Sequence, residues 1–521
     1  MNAVDPPTSS AQAEGSGAAD LCDLLADLPF SDGDVAVVSE SGRLSLRELR
    51  ARVASLAATL REAQVRPGHP VGSLVAPGPS SVVAMFATWA VGAVYVPINR
   101  RFTAAEVWSF LAETPVALII GAPDDLETHS VEIGVAAHDY PNSRSWVDRP
   151  ADPGAPRYEP DIALVLRTSG TTGRPKAVLL RHSGTIDALD ASLEKLRRSG
   201  RSRSANGSRP PRMNLIPLSL ALWAGVFNTL FSFRAGFGVV LLDRFTPAGF
   251  AHAVSEHGIT STVLAPAMIA MLADADEVDD LAPLRLVRSI TAPLSPEVAR
   301  QFHQRYGVFV LNSYGQTELG GEVVGWTTDD LRAFGESKLG AAGRAYDHVD
   351  LRIRTDDGSE AAVGELGEVY VRSPFRMRGY ALASGSHSSD GEDRFVNGYL
   401  RTGDVGRVDA DGFLWVQGRV SDMINRGGLK VFPDEVEETL RRHPAVMDAG
   451  VAGIPDRRLG EVPHAWVVAP GDLDSEELTA WCRQHLAPYK VPTGFTRIES
   501  LPRSDIGKLL RRELSDGYQS P

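Results

Sequence analysis

The chain has 521 residues, 43% of them apolar and 23% charged, and a formal net charge of -13. That length predicts two to four folding units with large cores. The acidic balance argues against a nucleic-acid partner, although a local basic patch could still bind a small phosphorylated ligand. Cys22 and Cys482 lie far apart and in no metal-ligand spacing, which predicts two reduced thiols in a cytoplasmic protein.

Residues 1–20 lack the basic start and apolar run of a secretory signal and read as a disordered lead. Residues 45–63 place Leu46, Leu49, Val53, Leu56, Ala57 and Leu60 on one face of a helix. Strand-like runs at 71–75, 93–98, 117–120, 239–242 and 261–264 alternate with helical patterns, which predicts parallel sheets covered by helices. Two uncharged stretches, 82–98 and 215–233, approach membrane length. The first is broken by Gly92 and Pro97, and the second contains Pro217, Ser219, Gly225 and Asn228, so both read as buried core elements and no membrane span is expected.

Between the apolar run 162–166 and a second strand beginning at Ala177 lies a loop rich in hydroxyls and glycines: Thr168, Ser169, Gly170, Thr171, Thr172, Gly173, Arg174, Pro175 and Lys176. Backbone amides freed by glycine, the hydroxyls and the Lys176 ammonium can converge on a triphosphate. The Walker spacing is absent and Pro175 stands where its helix would begin, so a hairpin loop folding over a nucleotide is expected. Residues 197–212 are basic and polar and read as a solvated loop. From about 345 to 419 shorter strands predict a β-rich subdomain that closes a large domain spanning 21–419. Residues 420–521 alternate helix and strand as a compact α+β module. The fold class is therefore α/β: a large N-terminal domain of helix-covered sheets with a β-rich subdomain, then a small mobile α+β C-terminal domain.

Several later segments offer nucleotide chemistry. Residues 313–318, with Tyr314, Gly315, Thr317 and Glu318, provide an aromatic face for a purine and a carboxylate for a magnesium ion. Asp404 can accept two ribose hydroxyls, Arg419 supplies a guanidinium, Gly427 and Gly428 permit close approach, and Lys508 sits on a tight loop.

The order and spacing of these segments resemble the adenylate-forming enzymes, which comprise acyl-CoA and aryl-CoA synthetases, peptide-synthetase adenylation domains and beetle luciferase. The resemblance covers nearly the whole chain: 168–176 matches the phosphate loop, 313–318 the adenine and magnesium motif, 364–380 the structural signature, 399–419 the ribose and interdomain segment, and 433–440 and 502–514 the C-terminal motifs. It implies that Tyr314 stacks on adenine, Asp404 binds the ribose, Glu318 holds Mg²⁺, and Thr168, Ser169, Thr171, Thr172 and Lys176 embrace the β and γ phosphates. Arg419 would reach the ribose or α-phosphate, and Lys508 would bridge the substrate carboxylate and α-phosphate. The small domain would then rotate and bring Gly427 and Gly428 to a coenzyme A tunnel.

The implied activity is an ATP-dependent acid–thiol ligase, acting as a monomer or homodimer on a small carboxylic acid with CoA or an acyl carrier protein as acceptor. Two alternatives remain open: an acyl-AMP ligase that performs only adenylation, and a non-catalytic adenylate-binding protein. Three positions depart from the family pattern. The segment Ile216 to Gly225 lacks the usual histidine, Ile290-Thr291-Ala292-Pro293 is bulkier than the usual glycine-rich stretch, and the hinge position is Ser421. The pocket segment carries no acid to pair an ammonium, so an apolar aromatic, alicyclic or aliphatic acid is expected, lined by Leu220, Leu222, Trp223, Val226, Thr291 and Gly320.

Overall fold

The computed structural model describes residues 20–74, 76–129, 134–136, 146–147, 150–168, 176–198, 212–382, 387–388, 394–471, 474–503 and 509–517. The expected first helix forms at Leu46–Glu62. The Ser45 hydroxyl accepts from the Glu48 amide, the Glu48 carboxylate accepts from the Ser45 amide, and the leucine stripe is buried. Asp20 belongs to the fold rather than to the lead: its carboxylate accepts from the Cys22 amide at 3.0 Å and pairs with His182 at 3.0 Å.

Three sheets build the large domain. In the nine-stranded sheet, Ile162–Thr168, Val94–Pro97, Pro70–Leu74, Leu118–Gly121 and Gly134–Ala136 run parallel, and both edges are antiparallel. A four-stranded sheet joins Met213–Ile216, Gly238–Leu241, Val35–Ser39 and Gly42–Ser45. The helix Pro79–Trp89 is buried along its whole length, and the second uncharged stretch divides into the strand Met213–Ile216 and the helix Trp223–Arg234. Among the described residues no helix is long and apolar enough to cross a membrane.

The third sheet has ten strands. Ser261–Leu264, Leu286–Ser289 and Phe309–Gln316 are parallel; then Gly321–Gly325, Gly343–Ala345, Phe413–Arg419, Tyr399–Val408, Gly367–Arg372 and Asp350–Arg354 continue it antiparallel, and the short strand Phe395–Val396 pairs with Tyr399–Val408. The β-rich region is thus an extension of an α/β sheet and does not form a sheet of its own from residue 345. The strand Phe309–Gln316 carries the ladder across the change of direction, with a register shift between Tyr314 and Gly315.

The small module has its own five-stranded sheet, built on the hairpin Asp448–Asp456 and Gly460–Val468, with helices Pro433–Arg441 and Ser475–His485 packed over a separate core containing Ile424, Val436, Val451, Val467 and Cys482.

Candidate active site

The phosphate-loop segment is held by a hairpin, as its sequence requires. Thr168 pairs across the ladder with Lys176, and the Thr168 hydroxyl donates to the Lys176 carbonyl at 3.4 Å. The loop itself, with Ser169, Gly170, Thr171, Thr172 and Gly173, lies outside the described residues. The Lys176 ammonium stands 4.8 Å over the Tyr380 ring.

Asp404 is the hub of the purine and ribose segments. Strand pairing sets it opposite Arg419, whose Nε lies 3.0 Å from Asp404 Oδ1. The Tyr314 hydroxyl donates to Oδ2 at 2.7 Å, and Gln316 Nε2 donates to the same oxygen at 2.7 Å and to the Thr402 carbonyl at 3.1 Å. Burial, and then the neighbouring Asp404 charge, hold the Tyr314 hydroxyl well above its ordinary range. Burial alone would lower the Arg419 guanidinium, but Asp404 and its neighbours outweigh that and raise it.

Glu318 is buried on the short helical turn Thr317–Leu319. Its Oε1 accepts from the Tyr380 hydroxyl at 3.2 Å and lies 3.4 Å from Arg394 Nη1. Arg394 also donates to the Tyr380 hydroxyl at 2.8 Å and to the carbonyls of Arg401 and Thr402 at 3.0 Å, which ties the magnesium motif to the ribose strand.

These groups open on one cavity of about 1820 Å³ between the large domain and the small module, lined by Thr168, Lys176, Tyr314, Gly315, Thr317, Glu318, Asp404 and Arg419. One wall is aromatic. Trp223, Phe227 and Phe231 project from one face of a helix at i, i+4 and i+8, with rings 5.4 and 6.5 Å apart. Leu222 and Thr291 also line it. Leu220, Val226 and Gly320 do not line it. Val226 faces the core with Leu230 and Phe233, Leu220 is buried beneath, and a Cβ on Gly320 would lie 2.1 Å from the Phe375 carbonyl. Thr291 adopts φ +77, a left-handed conformation that costs an L-residue about 1–2 kcal/mol. A β-branched residue thus occupies a backbone conformation that favours glycine.

From the small module, Arg503, Leu509 and Arg511 line the cavity on either side of residues 504–508. Lys508 itself lies outside the described residues. Arg511 pairs with Glu437 at 3.0 Å, with Asp422 at 3.4 Å, and with Asp434. It thereby joins the end of the lysine segment to the helix Pro433–Arg441 and to the turn Val420–Asp422 that contains Ser421. Ser421 is exposed and donates to Asp422 at 2.8 Å. Gly427 and Gly428 occupy an exposed left-handed turn away from the cavity, at φ +60 and +92, with Lys430 beside them paired to Asp356.

Gln316, Tyr380, Arg394 and Arg511 are site residues that sequence reasoning did not single out. Gln316, Tyr380 and Arg511 lay within motifs already marked, whereas Arg394 sits in a polar stretch with no distinguishing pattern.

Comparison with known proteins gives the same outline. The model of the AMP-binding enzyme family matches residues 30–381, and that of the AMP-binding enzyme C-terminal domain matches 435–508. The chain belongs to the AMP-binding enzyme family. It is 32% identical to a 2-succinylbenzoate–CoA ligase of Bacillus velezensis, over 92% of this chain and 95% of that one. It is 33% identical to a feruloyl-CoA synthase of Amycolatopsis, over 90% and 93%. Among solved structures, the o-succinylbenzoate coenzyme A synthetase of Bacillus subtilis in complex with ATP and magnesium superposes with a TM-score of 0.79 at 28% identity, over 95% and 98% of the two chains. This AMP-binding enzyme is an AMP-forming acyl- or aryl-CoA ligase that uses ATP, Mg²⁺ and coenzyme A.

Proposed function

We propose that the chain condenses an aromatic, largely apolar carboxylic acid with ATP to give the acyl adenylate and pyrophosphate, then passes the acyl group to coenzyme A. The observation that carries this reading is the convergence on one cavity of the Asp404 cluster, the buried Glu318 and an aromatic wall, with the segment bearing Lys508 flanked by Arg503 and Arg511 on the facing module. An aliphatic acid would leave the faces of Trp223, Phe227 and Phe231 without flat partners.

In the first half-reaction a substrate carboxylate oxygen bonds to the α-phosphorus as the bond to pyrophosphate breaks. Two anions approach, so the site must concentrate positive charge. Glu318 and the phosphate-loop hydroxyls suit a hard cation, and Glu318 would hold Mg²⁺, which when bound offsets phosphate charge. Tyr314 stacks on the purine while its hydroxyl holds Asp404, and Gln316 and Arg419 fix that carboxylate for the ribose. Lys508 bridges the attacking carboxylate and the α-phosphate, supplying ~3 kcal/mol of transition-state stabilisation.

In the second half-reaction the coenzyme A thiolate sulfur bonds to the acyl carbon and AMP leaves. Arg503, Leu509 and Arg511, which flank residues 504–508, line the cavity while the Gly427–Gly428 turn does not, which supports reading the arrangement as the adenylating half, with a turn about Ser421 exchanging the two faces. Acid-dependent exchange of labelled pyrophosphate into ATP tests the reading. Exchange with aryl acids supports it, and exchange with no acid refutes it.

A further inference from the structure

The aromatic wall ends at two charged side chains. Phe227 abuts the strand Gly321–Gly325, since a Cβ built on Gly321 would lie 3.6 Å from its ring. The next residue, Glu322, lines the cavity directly opposite Gly315 in the ladder. Arg288, two strands away in Leu286–Ser289, reaches across to pair with Glu322, and the Tyr346 hydroxyl donates to the other Glu322 oxygen. Arg288 lies deep in the protein, yet 37% of its side chain is accessible and it lines the cavity. Burial lowers its guanidinium to about 10, which leaves it charged at neutral pH.

We propose that Arg288 and Glu322 form the recognition end of the acid pocket and select an aryl acid bearing a ring hydroxyl, which donates to Glu322 and accepts from Arg288. The proposal rests on the ligase reading above and names its substrate class. A guanidinium has five N–H donors and a carboxylate about four lone pairs. Their mutual pairing and Tyr346 leave capacity of both kinds toward the cavity. A hydroxyl satisfies both at once. A second carboxylate would gain Arg288 but meet the Glu322 carboxylate, and an unsubstituted ring would leave the remaining Arg288 donors and Glu322 lone pairs unmet. Discrimination by such a site against an analogue lacking the hydroxyl exceeds what one apolar contact provides.

The test uses the full-length enzyme and measures kcat/KM for pyrophosphate release with cinnamate, its para- and meta-hydroxy derivatives and para-carboxycinnamate, together with the KM for ATP. At least one hydroxycinnamate should exceed both other acids by about 1,000-fold or more, above the roughly 10–200-fold that one apolar contact provides and toward the range for a site built for a hydroxyl. Arg288→Met should lower the hydroxy-to-unsubstituted ratio by about tenfold or more, the worth of one charged hydrogen bond, and Glu322→Gln should raise para-carboxycinnamate relative to the hydroxy acid. The KM for ATP should be unchanged in both variants, and matching circular dichroism shows that they are folded. Equal loss with every acid, or a raised KM for ATP, assigns the pair to the fold or the nucleotide and overturns the proposal. Preference for cinnamate itself overturns it as well. If none of these acids nor any other carboxylate releases pyrophosphate, the ligase reading fails first, which is a distinguishable result.

Discussion

Replacing Arg511 with methionine removes the cation shared by Asp422, Asp434 and Glu437 and keeps most of the aliphatic stem. Asp434 and Asp422 retain 42% and 28% of their side-chain exposure, so losing their pairings costs about 0–1 kcal/mol each. Glu437 is 4% exposed, and breaking a buried pair costs about 3–5 kcal/mol. Arg441 at 3.4 Å and the Val451 amide at 2.9 Å still face it, which places the loss near the lower bound, at about 3 kcal/mol at pH 8. Burial already holds the Glu437 carboxyl above its ordinary value, and Arg511 opposes that rise. A carboxyl with a raised folded pKa binds more protons folded than unfolded, so stability falls as pH rises between the two values, by about 1.4 kcal/mol per unit per proton. Without Arg511 the folded value rises further and this window widens upward. Urea unfolding at pH 5 and pH 8, with hydrogen exchange at helix Pro433–Arg441, should therefore show a small deficit for R511M at pH 5 and the full deficit at pH 8. An equal deficit at both pH values, or none at pH 8, refutes the electrostatic account.

Lys508→Ala should slow adenylation by about a hundredfold or more, worth ~3 kcal/mol, while conversion of supplied acyl adenylate to thioester largely survives; equal loss in both half-reactions removes Lys508 from its assigned role. At Gly428 a Cβ meets nothing within 4 Å, so Gly428→Trp has room despite the strain of φ +92, and it should block coenzyme A while acyl adenylate still forms. Unchanged thioester formation in that variant places the thiol path elsewhere. Ser421→Pro should trap the adenylating arrangement, so rapid-mixing measurements should find normal acyl adenylate formation and a steep fall in thioester. If neither half-reaction slows, Ser421 is not the pivot.

Local patterning carried much of the fold. The leucine spacing and Ser45 cap locate the helix Leu46–Glu62, and the apolar runs on either side of the loop after Thr168 pair as the strands Ile162–Thr168 and Lys176–Arg181. Partner strands were less legible. Residues after 345 read as a β-rich subdomain closing the large domain, but alternation identifies strands and not the long-range pairing that joins them to Phe309–Gln316. In the pocket, composition could not separate Trp223, Phe227 and Phe231 from Val226 and Leu230, since only packing decides which face of the helix meets the cavity. Arg288 and Glu322 each look like an ordinary strand charge, and only registry across three strands brings them together.

The most direct test of the central claim is single-turnover analysis of the purified enzyme with ATP, Mg²⁺ and a hydroxycinnamate, quenched with and without coenzyme A. Acyl adenylate and pyrophosphate should accumulate in equal amounts without the thiol, and thioester plus AMP should replace the adenylate when it is present. Adenylate that persists unchanged in coenzyme A contradicts the thioester half of the account, and absence of adenylate with every acid contradicts the whole.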